Sequence, residues 1–328
     1  MPTYSIIKLC NITPMHLGSG RATYEKAATD LHSDTLSAAL AAIYAQTAST
    51  FDAKWFMESF LISSAFPFYG NRYFLPKPIG RLSVDLTDCK EESVRKKLKK
   101  LKYIELPLWE QIARGEDVKI SKEQIMGDFL VAAGSDCDIE LFARYPTLRV
   151  TVSRTGDNED PYYIERTFFS PQAGLYCIID CNEQTKGLIE NLFVQLGEAG
   201  IGSYKSTGCG QFTIETATIE IPSANDANGA LLLSQYIPTK EELGNIDLDA
   251  SRYELVLRNG YMAGSSVPQL THLQKKSVYM FKCGSLLATS SHLEGKLADV
   301  TPVWNDNAMH PVLRSGRSFI LPIKMQEL

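Results

Sequence analysis

The segment that most constrains the fold is a glycine-rich loop at residues 200–210. It reads G-x-G-x-x-x-x-x-G-x-G and lies between a helical pattern at 186–196 and a strand pattern at 211–221. Glycine tolerates positive φ and has no Cβ, so the backbone of such a loop can approach a ligand closely. Lysine and hydroxyl side chains beside the glycines can bind phosphate oxygens. The loop therefore predicts a phosphate-binding element, with the candidate residues Gly200, Gly202, Ser203, Tyr204, Lys205, Ser206, Thr207, Gly208 and Gly210.

The spacing excludes a Walker-type nucleotide-binding loop. Such a loop requires G-x4-G-K-[ST] at the start of a helix. Here five residues separate Gly202 from Gly208, and Cys209 occupies the position of the lysine. A structural turn, whose glycines only permit positive φ, is the alternative to ligand binding. Four glycines with Lys205 between them favour binding.

A second glycine-containing loop, at residues 16–21, follows the first predicted strand. Its sequence HLGSGR combines an imidazole, a hydroxyl and a guanidinium with two glycines. This loop is a second candidate binding element, made of His16, Gly18, Ser19, Gly20 and Arg21. Arginines also surround the central predicted strands, where alternate residues share one face. Some of these arginines will be solvated surface, and the candidates for binding are Arg144, Arg154 and Arg166.

Strand and helix patterns interleave along the whole chain. Strands are predicted at 4–12 and 148–152, helices at 35–46 and 53–60, and two extended pieces around a Gly-Asn turn at 66–76. A β-α-β-β order that occurs twice predicts an α+β fold of two ferredoxin-like (RRM-like) units with a glycine-rich loop and insertions. A doubly wound nucleotide-binding fold fits less well, because no G-x-G-x-x-G opens a helix after the first strand.

The predicted division of the chain falls near residue 160. The N-terminal ferredoxin-like unit covers residues 1–160 and contains an insertion around 76–140. The C-terminal ferredoxin-like unit covers residues 161–328 and carries the glycine-rich loop.

Composition limits the classes of partner. The formal net charge is −5 and the pI about 5.7, so any polyanion must be bound by local patches. The seven cysteines are scattered without a C-x-x-C pair, which predicts reduced thiols and neither a metal nor a cofactor. No apolar run approaches the roughly 18 to 20 residues that span a bilayer, and the first residues lack a secretory signal. We therefore expect a cytoplasmic protein without a membrane partner.

Both loops and several further motifs resemble the RAMP superfamily of CRISPR proteins. The motifs are HLGSG at 16–20, HSDTL at 32–36, SSAFPFYG at 63–70 with FLPKP at 74–78, KKLKKLKYI at 96–104, HPV at 310–312 with Arg314 and Gly316, and the glycine-rich loop. They span residues 16–316, so the resemblance covers the whole chain. In their order they look like the fourth subunit of the type III-A Csm interference complex, a Cas5-like RAMP protein.

This resemblance implies a non-catalytic RNA-binding subunit without a cofactor. Such a subunit holds the repeat-derived 5′ tag of the crRNA and bridges the large polymerase-type subunit to the filament of backbone RAMP subunits. The implied partners are therefore crRNA, the large polymerase-type subunit and the backbone RAMP subunit. Cations and backbone N–H groups would fix phosphates, and Tyr204 is a candidate for stacking on a base.

Two alternatives stay open. Some RAMP relatives cut RNA without a metal by using a histidine as general acid or base, and His16 beside Arg21 has such a placement. The chain would then be an endoribonuclease that processes precursor crRNA. The other alternative is a protein scaffold whose glycine-rich loop contacts a neighbouring chain and no RNA.

Two helical segments carry charges whose roles the sequence leaves open. Residues 90–102 hold seven basic and two acidic side chains, with Val94, Leu98 and Leu101 as one apolar stripe. This basic helix is either a solvated face, an RNA contact or a contact with the large subunit. The resemblance would allow Asp34 as a counterpart of the catalytic aspartate of the neighbouring target-cleaving subunits, but before an apolar helix it is interpreted as the N-cap of the helix at 35–46.

Overall fold

The computed structural model describes residues 1–18, 27–28, 30–87, 91–134, 140–152, 159–262, 264–265, 267–304 and 309–325. Four predicted contact residues lie outside the described residues, namely Ser19, Gly20, Arg21 and Arg154. Within the described ranges, no helix is both long and apolar enough to cross a membrane.

The described residues form few helices and many strands. The helices are α1 (Ser33–Thr47), α2 (Ala53–Glu58), α3 (Glu91–Lys100), α4 (Trp109–Ala113), α5 (Glu183–Ala199) and α6 (Lys240–Gly244). The strands up to residue 130 are β1 (Thr3–Cys10), β2 (Leu17–Gly18), β3 (Ala27–Ala28), β4 (Phe60–Ile62), β5 (Phe66–Tyr69), β6 (Arg72–Pro76), β7 (Val84–Leu86), β8 (Tyr103–Glu105), β9 (Val118–Ile120), β10 (Ile125–Met126) and β11 (Phe129–Leu130). The later strands are β12 (Phe142–Val152), β13 (Glu159–Phe169), β14 (Ala173–Cys181), β15 (Thr213–Glu220), β16 (Gly229–Leu232), β17 (Asp247–Arg252), β18 (Leu255–Arg258), β19 (Val278–Phe281), β20 (Leu286–Ala288), β21 (Gly295–Asp299), β22 (Leu313–Arg317) and β23 (Ile320–Ile323).

One large sheet organises the molecule, with the strand order β10-β11-β8-β6-β5-β14-β1-β15 and β4 paired to β14. Neighbouring residues of β1 point to opposite faces of this sheet, and both Ile6 and Ile7 are buried. Helices α1, α2 and α5 cover the face of Ile7, where Phe193 and Leu36 are buried. Helices α3 and α4 and the C-terminal strands cover the face of Ile6. The sheet is therefore buried on both sides.

The chain order β1-α1-β5-β14-α5-β15 and the spatial order β5-β14-β1-β15 are those of a ferredoxin-like β-α-β-β-α-β unit. This unit runs from Thr3 to Glu220, so it crosses the predicted division near residue 160. The glycine-rich loop lies inside it, between α5 and β15, whereas we predicted that loop in a separate C-terminal unit. The difference arises because β14 and β15 form their ladders with β1, far away in the sequence.

The C-terminal strands form a second, smaller sheet in the order β17-β20-β16-β23, with its own core around Leu232, Tyr236 and Leu287. The described residues after 220 contain one α-helix, the five-residue α6, whereas a ferredoxin-like unit needs two helices. A mixed, strand-rich α+β fold is thus confirmed, and the second ferredoxin-like unit is not.

Local patterns were the most reliable guides to the elements. The pieces at 66–76 are the hairpin β5–β6, paired at Tyr69 and Arg72. The basic helix is α3, and its stripe Val94, Leu98 and Leu101 is buried as predicted. The insertion around 76–140 contributes β8, β10 and β11 to one edge of the large sheet.

Asp34 does not cap α1, contrary to the prediction. The N-cap is His32, whose backbone carbonyl accepts from the N–H of Leu36 at 3.0 Å. Asp34 lies in the first turn, fully buried, and its carboxylate accepts from Arg258 Nε at 3.0 Å and from Arg314 Nη1. Burial alone would raise the pKa of Asp34, but the two guanidinium groups outweigh burial and hold that pKa below its ordinary value. This ion cluster joins α1 to β18 and β22 of the C-terminal part.

We expect Asp34→Asn to lower the free energy of unfolding by about 3–5 kcal/mol at neutral pH, because it leaves two arginines without their shared carboxylate. Glu110→Gln removes the exposed pair with Arg114 and should cost no more than about 0.5 kcal/mol. Urea denaturation measures both variants. Because the pKa of Asp34 is lowered by folding, its contribution is present above the unfolded pKa of about 3.9 and disappears as pH falls through the lower folded value. Equal, small losses in the two variants would contradict the role of the cluster.

Candidate nucleic-acid interface

The glycine-rich loop is closed at its base by backbone hydrogen bonds. Helix α5 ends at Ala199, and its C-cap residue Gly200 has φ +78° and donates its N–H to the carbonyl of Leu196 at 2.8 Å. The N–H of Ile201 then donates to the carbonyl of Gly210 at 2.9 Å. The two ends of the loop are thereby held together, and residues 203–207 form its tip.

Three of the four glycines are required by close backbone packing. A Cβ at Gly210 would lie 2.0 Å from the carbonyl oxygen of Ile201, and one at Gly200 would lie 2.7 Å from that of Cys209. A Cβ at Gly202 would lie 2.5 Å from the carbonyl oxygen of His16. Gly208 differs, because its φ is +76° but the nearest atom to a Cβ would be a side-chain oxygen at 3.7 Å. Gly200, Gly202 and Gly210 therefore have a structural role at the base of the loop, and this role is compatible with ligand binding at the tip.

The tip presents its side chains outwards. Tyr204 has φ +63°, a left-handed conformation uncommon for a residue with a Cβ, and it starts a 3-10 turn over Lys205–Thr207. Lys205, Ser206 and Thr207 are exposed. The sharp turn at Tyr204 thus aims a cation and two hydroxyls away from the core.

The loop that follows β1 is fixed between the glycine-rich loop and β13. On one side, the hydroxyl of Thr13 donates to the carbonyl of Gly208 at 2.8 Å, and the N–H of Ser203 donates to the carbonyl of His16 at 2.9 Å. On the other side, Met15 and Thr167 exchange two backbone hydrogen bonds of 2.8 and 3.0 Å. Segments from three distant parts of the chain therefore meet at residues 13–16.

His16 is at the centre of this junction. Its side chain is only 2% exposed, and Nδ1 lies 2.7 Å from the carbonyl oxygen of Glu165. A carbonyl can only accept, so Nδ1 carries the proton. The ring of Tyr204 meets the imidazole edge-on, with the ring centroids 5.9 Å apart. The imidazole thus positions β13 and the aromatic residue of the tip.

Two of the predicted arginines, Arg144 and Arg166, lie on a long two-stranded ribbon, β12–β13. Arg144 pairs with Thr167 and Arg166 pairs with Tyr145, so the two arginines point to opposite faces of the ribbon. The prediction grouped them, but they cannot act on one face. Arg144 is exposed, whereas Arg166 is partly buried next to the junction at Thr167.

Arg166 has hydrogen-bonding capacity that the described protein does not satisfy. Its Nε and Nη2 are buried, and neither has a partner in the part of the chain that the structure describes. The buried hydroxyl of the adjacent Thr167 is in the same condition. Buried donors without partners are uncommon in proteins, and a phosphate would satisfy a guanidinium in this position. Thr167 is not evident as a site residue from the sequence, because nothing in its local sequence shows that Met15 pairs with it.

The glycine-rich loop, the loop after β1 and the ribbon therefore adjoin and form one surface. His16 contacts Ser203 and Tyr204, which precede Lys205. His16 also contacts Glu165 of β13, which precedes Arg166. Gly18 lies in β2, directly after His16 and Leu17. Arg144 is on the face of the ribbon opposite to Arg166 and lies directly across from Thr167. The arrangement combines cations, hydroxyls and an aromatic ring, which suits a single-stranded nucleic acid.

Comparisons with known proteins show similarity to CRISPR proteins. Residues 225–323 match the family model of the CRISPR Csm4 C-terminal domain. A Csm4 protein of Thermococcus onnurineus (strain NA1) is 28% identical over 247 residues, which cover 73% of this chain and 77% of the relative. A Csm4 protein of Streptococcus thermophilus is 24% identical over 322 residues, which cover 94% of this chain and 96% of the relative.

Solved structures show the same fold over almost the whole chain. A chain of the crystal structure of a Csm1-Csm4 cassette in complex with cA4 has a TM-score of 0.64 at 20% identity, covering 99% of this chain and 100% of that chain. A chain of the Csm3-Csm4 subcomplex of a type III-A CRISPR-Cas interference complex has a TM-score of 0.60 at 17% identity, covering 98% and 99%.

Together these matches make the chain similar to RAMP-like CRISPR proteins, as the sequence motifs predicted. Within that class the predicted resemblance is also confirmed: the protein that this chain resembles is Csm4, a subunit of the type III-A Csm complex.

The glycine geometry makes a graded prediction for stability. Gly202→Ala should lower the free energy of unfolding by more than about 2 kcal/mol, because its Cβ meets the carbonyl of His16 and the left-handed backbone adds strain. Gly208→Ala should cost only about 1–2 kcal/mol, from the left-handed backbone alone. Gly18→Ala is the control, since nothing lies within 4 Å of its Cβ, and its effect should stay within about 0.5 kcal/mol. Urea denaturation gives the order, and an equal cost at Gly202 and Gly208 would contradict the packing argument.

Proposed function

We propose that this chain is a non-catalytic crRNA-binding subunit that holds the repeat-derived 5′ tag of a type III-A Csm interference complex. The observation that carries the proposal is the junction at His16, which hydrogen-bonds both to Ser203 of the glycine-rich loop and to Glu165 of the ribbon. The junction holds the loop after β1, the glycine-rich loop and the ribbon together, and residues of all three were predicted to bind RNA.

The chemistry of this surface fits a splayed single strand. Lys205 and Arg166 supply charge for phosphates, and the hydroxyl of Ser206 can donate to phosphate or ribose oxygens, whereas that of Thr207 donates to the carbonyl of Tyr204 at 2.9 Å. The ring of Tyr204, held against His16, offers a face for a base. The acidic net charge of the chain is no obstacle to this proposal, because Lys205 and Arg166 supply positive charge locally.

We further propose that the chain bridges the large polymerase-type subunit to the backbone RAMP filament in the cytoplasm. The similar solved chains come from a Csm1-Csm4 cassette and from a Csm3-Csm4 subcomplex, which supports two partners for this chain. Exposed apolar side chains provide contact area in two places. On the ribbon, Leu148, Val150 and Tyr163 share one face. On β18–β19, Leu257 and Tyr279 are paired and exposed.

Lys205→Gln and Arg166→Gln should each weaken binding of single-stranded RNA that carries the repeat-derived 5′ tag, on the order of tenfold. Each lost phosphate contact should also reduce the slope of log affinity against log salt by about 0.7. Fluorescence anisotropy at several salt concentrations measures both quantities, and Lys119→Gln, at an exposed lysine of β9, is the control. Because two nitrogens of Arg166 have no partner in the described protein, Arg166→Gln should leave thermal stability nearly unchanged. Unchanged affinity and slope in both variants would contradict the proposed surface and favour the scaffold alternative.

The burial of His16 argues against a general acid or base at this position. We expect the isolated protein to leave repeat RNA uncut in the presence of EDTA. His16→Ala should weaken RNA binding modestly, because it loosens the junction with Glu165 and Tyr204. Wild-type cleavage to a 2′,3′-cyclic phosphate, lost in His16→Ala, would instead establish the endoribonuclease.

A further inference from the structure

A second basic site lies on another part of the molecule, in a cleft of about 600 Å³. One wall is formed by the end of α3 and by β8, another by Lys77 and Gly80 after β6, and a third by Glu254 and Lys282 of the C-terminal part. Backbone contacts fix these walls together, since the N–H of Ile79 donates to the carbonyl of Gly284 at 2.8 Å. In the large sheet, β6 and β8 are separated from β1 by β5 and β14. The cleft is therefore distinct from the surface at His16.

The lining of the cleft carries an excess of positive charge. Five lysines face three acidic residues, with the members Lys77, Lys99, Lys100, Lys102 and Lys282 against Asp30, Asp128 and Glu254. Lys102 pairs with Asp128 at 2.9 Å, and Lys282 pairs with Glu254 at 2.7 Å. Asp30 accepts a hydrogen bond from the hydroxyl of Tyr103 at 2.8 Å. The two ion pairs leave three cations, Lys77, Lys99 and Lys100, against the one carboxylate of Asp30, an excess of two positive charges.

None of these three lysines forms an ion pair with a described carboxylate. The ammonium of Lys77 donates to the carbonyls of Gly80 at 3.0 Å and Pro78 at 3.3 Å, which are neutral acceptors. Burial lowers the pKa of Lys77, while the carboxylate of Glu254 opposes that shift. Lys99 and Lys100 are exposed at the end of α3 and form no ion pair with a described residue. An anion in the cleft would supply the missing counter-charge.

The floor of the cleft is apolar, in contrast to its rim. Leu31, Ala65, Phe66, Ile79 and Leu101 contribute to the lining. Small-molecule sites in proteins occupy roughly 300–1,000 Å³ and combine apolar walls with a few polar groups, so the size and the lining fit one nucleotide. Aspartate and glutamate side chains would offer carboxylates to the lysines but nothing that fills the apolar floor, whereas a nucleotide offers both a phosphate and a planar base.

We propose that this cleft binds one nucleotide unit, with the base against the apolar floor and the phosphate between Lys77, Lys99 and Lys100. The ligand is either a free nucleotide or one nucleotide of a bound RNA strand, because both present the same phosphate and base. The basic helix α3 thereby gains a role as one wall of a phosphate site. This inference stands apart from the proposed function of the glycine-rich loop.

The test uses two probes with the purified full-length chain: adenosine 5′-monophosphate, and a single-stranded RNA of about ten nucleotides. The variant Lys99→Gln/Lys100→Gln removes two cations of the cleft. The matched control Lys96→Gln/Lys97→Gln removes the same charge from exposed positions of the same helix that do not line the cleft. Calorimetry or anisotropy gives the affinities, and thermal denaturation checks that both variants are folded.

We expect the cleft variant to bind at least one of the probes about tenfold more weakly, and the control to change affinity less than about twofold. Weakened binding of adenosine 5′-monophosphate identifies a free nucleotide as a ligand, whereas an effect confined to the RNA identifies a nucleotide of the strand. Equal losses in the two variants, no loss in either, or binding of a glutamate-rich peptide in place of both probes would overturn the proposal. Lys205→Gln is measured on the same RNA beside the cleft variant, so that failure of the cleft and failure of the glycine-rich loop are distinguishable.

Discussion

The pairing of β1 along both of its edges is the constraint on which the rest of the structure depends. Lys8 lies opposite Tyr176 on β14 and opposite Glu215 on β15, and both ladders are antiparallel. Antiparallel pairing makes the end of one strand adjoin the start of the next, so the chain leaves β1 beside the point where it enters β15. The loop after β1 and the glycine-rich loop therefore emerge side by side, although they are far apart in the sequence.

The glycine-rich loop shows how one set of residues serves both packing and recognition. Gly200, Gly202 and Gly210 let backbone segments approach more closely than any Cβ would allow, which fixes the base of the loop. A fixed base holds the tip with Lys205 in a defined position before a ligand arrives. Ordering a flexible loop on binding costs free energy, and a loop that is already ordered avoids that cost.

Local features could be predicted from the sequence, and non-local ones could not. Periodicity gave α3 and its buried stripe, and turn chemistry gave the hairpin β5–β6, because the causes of both lie within a few residues. Asp34 looked like an N-cap because acidic residues are favoured both at the N-cap and in the first turn of a helix. Its partners Arg258 and Arg314 are 224 and 280 residues away. The division near residue 160 failed to anticipate the unit from Thr3 to Glu220 for the same reason, since strand partners are not encoded locally.

The ion cluster at Asp34 also determines how parts of related proteins can be exchanged. Its carboxylate belongs to α1, while both guanidinium groups belong to residues 225–323, the region that matches the C-terminal family model. A C-terminal region from a relative that lacks either arginine would bury an unbalanced charge against α1. Chimeras must therefore carry all three residues together, and substitutions at these positions are expected to coevolve.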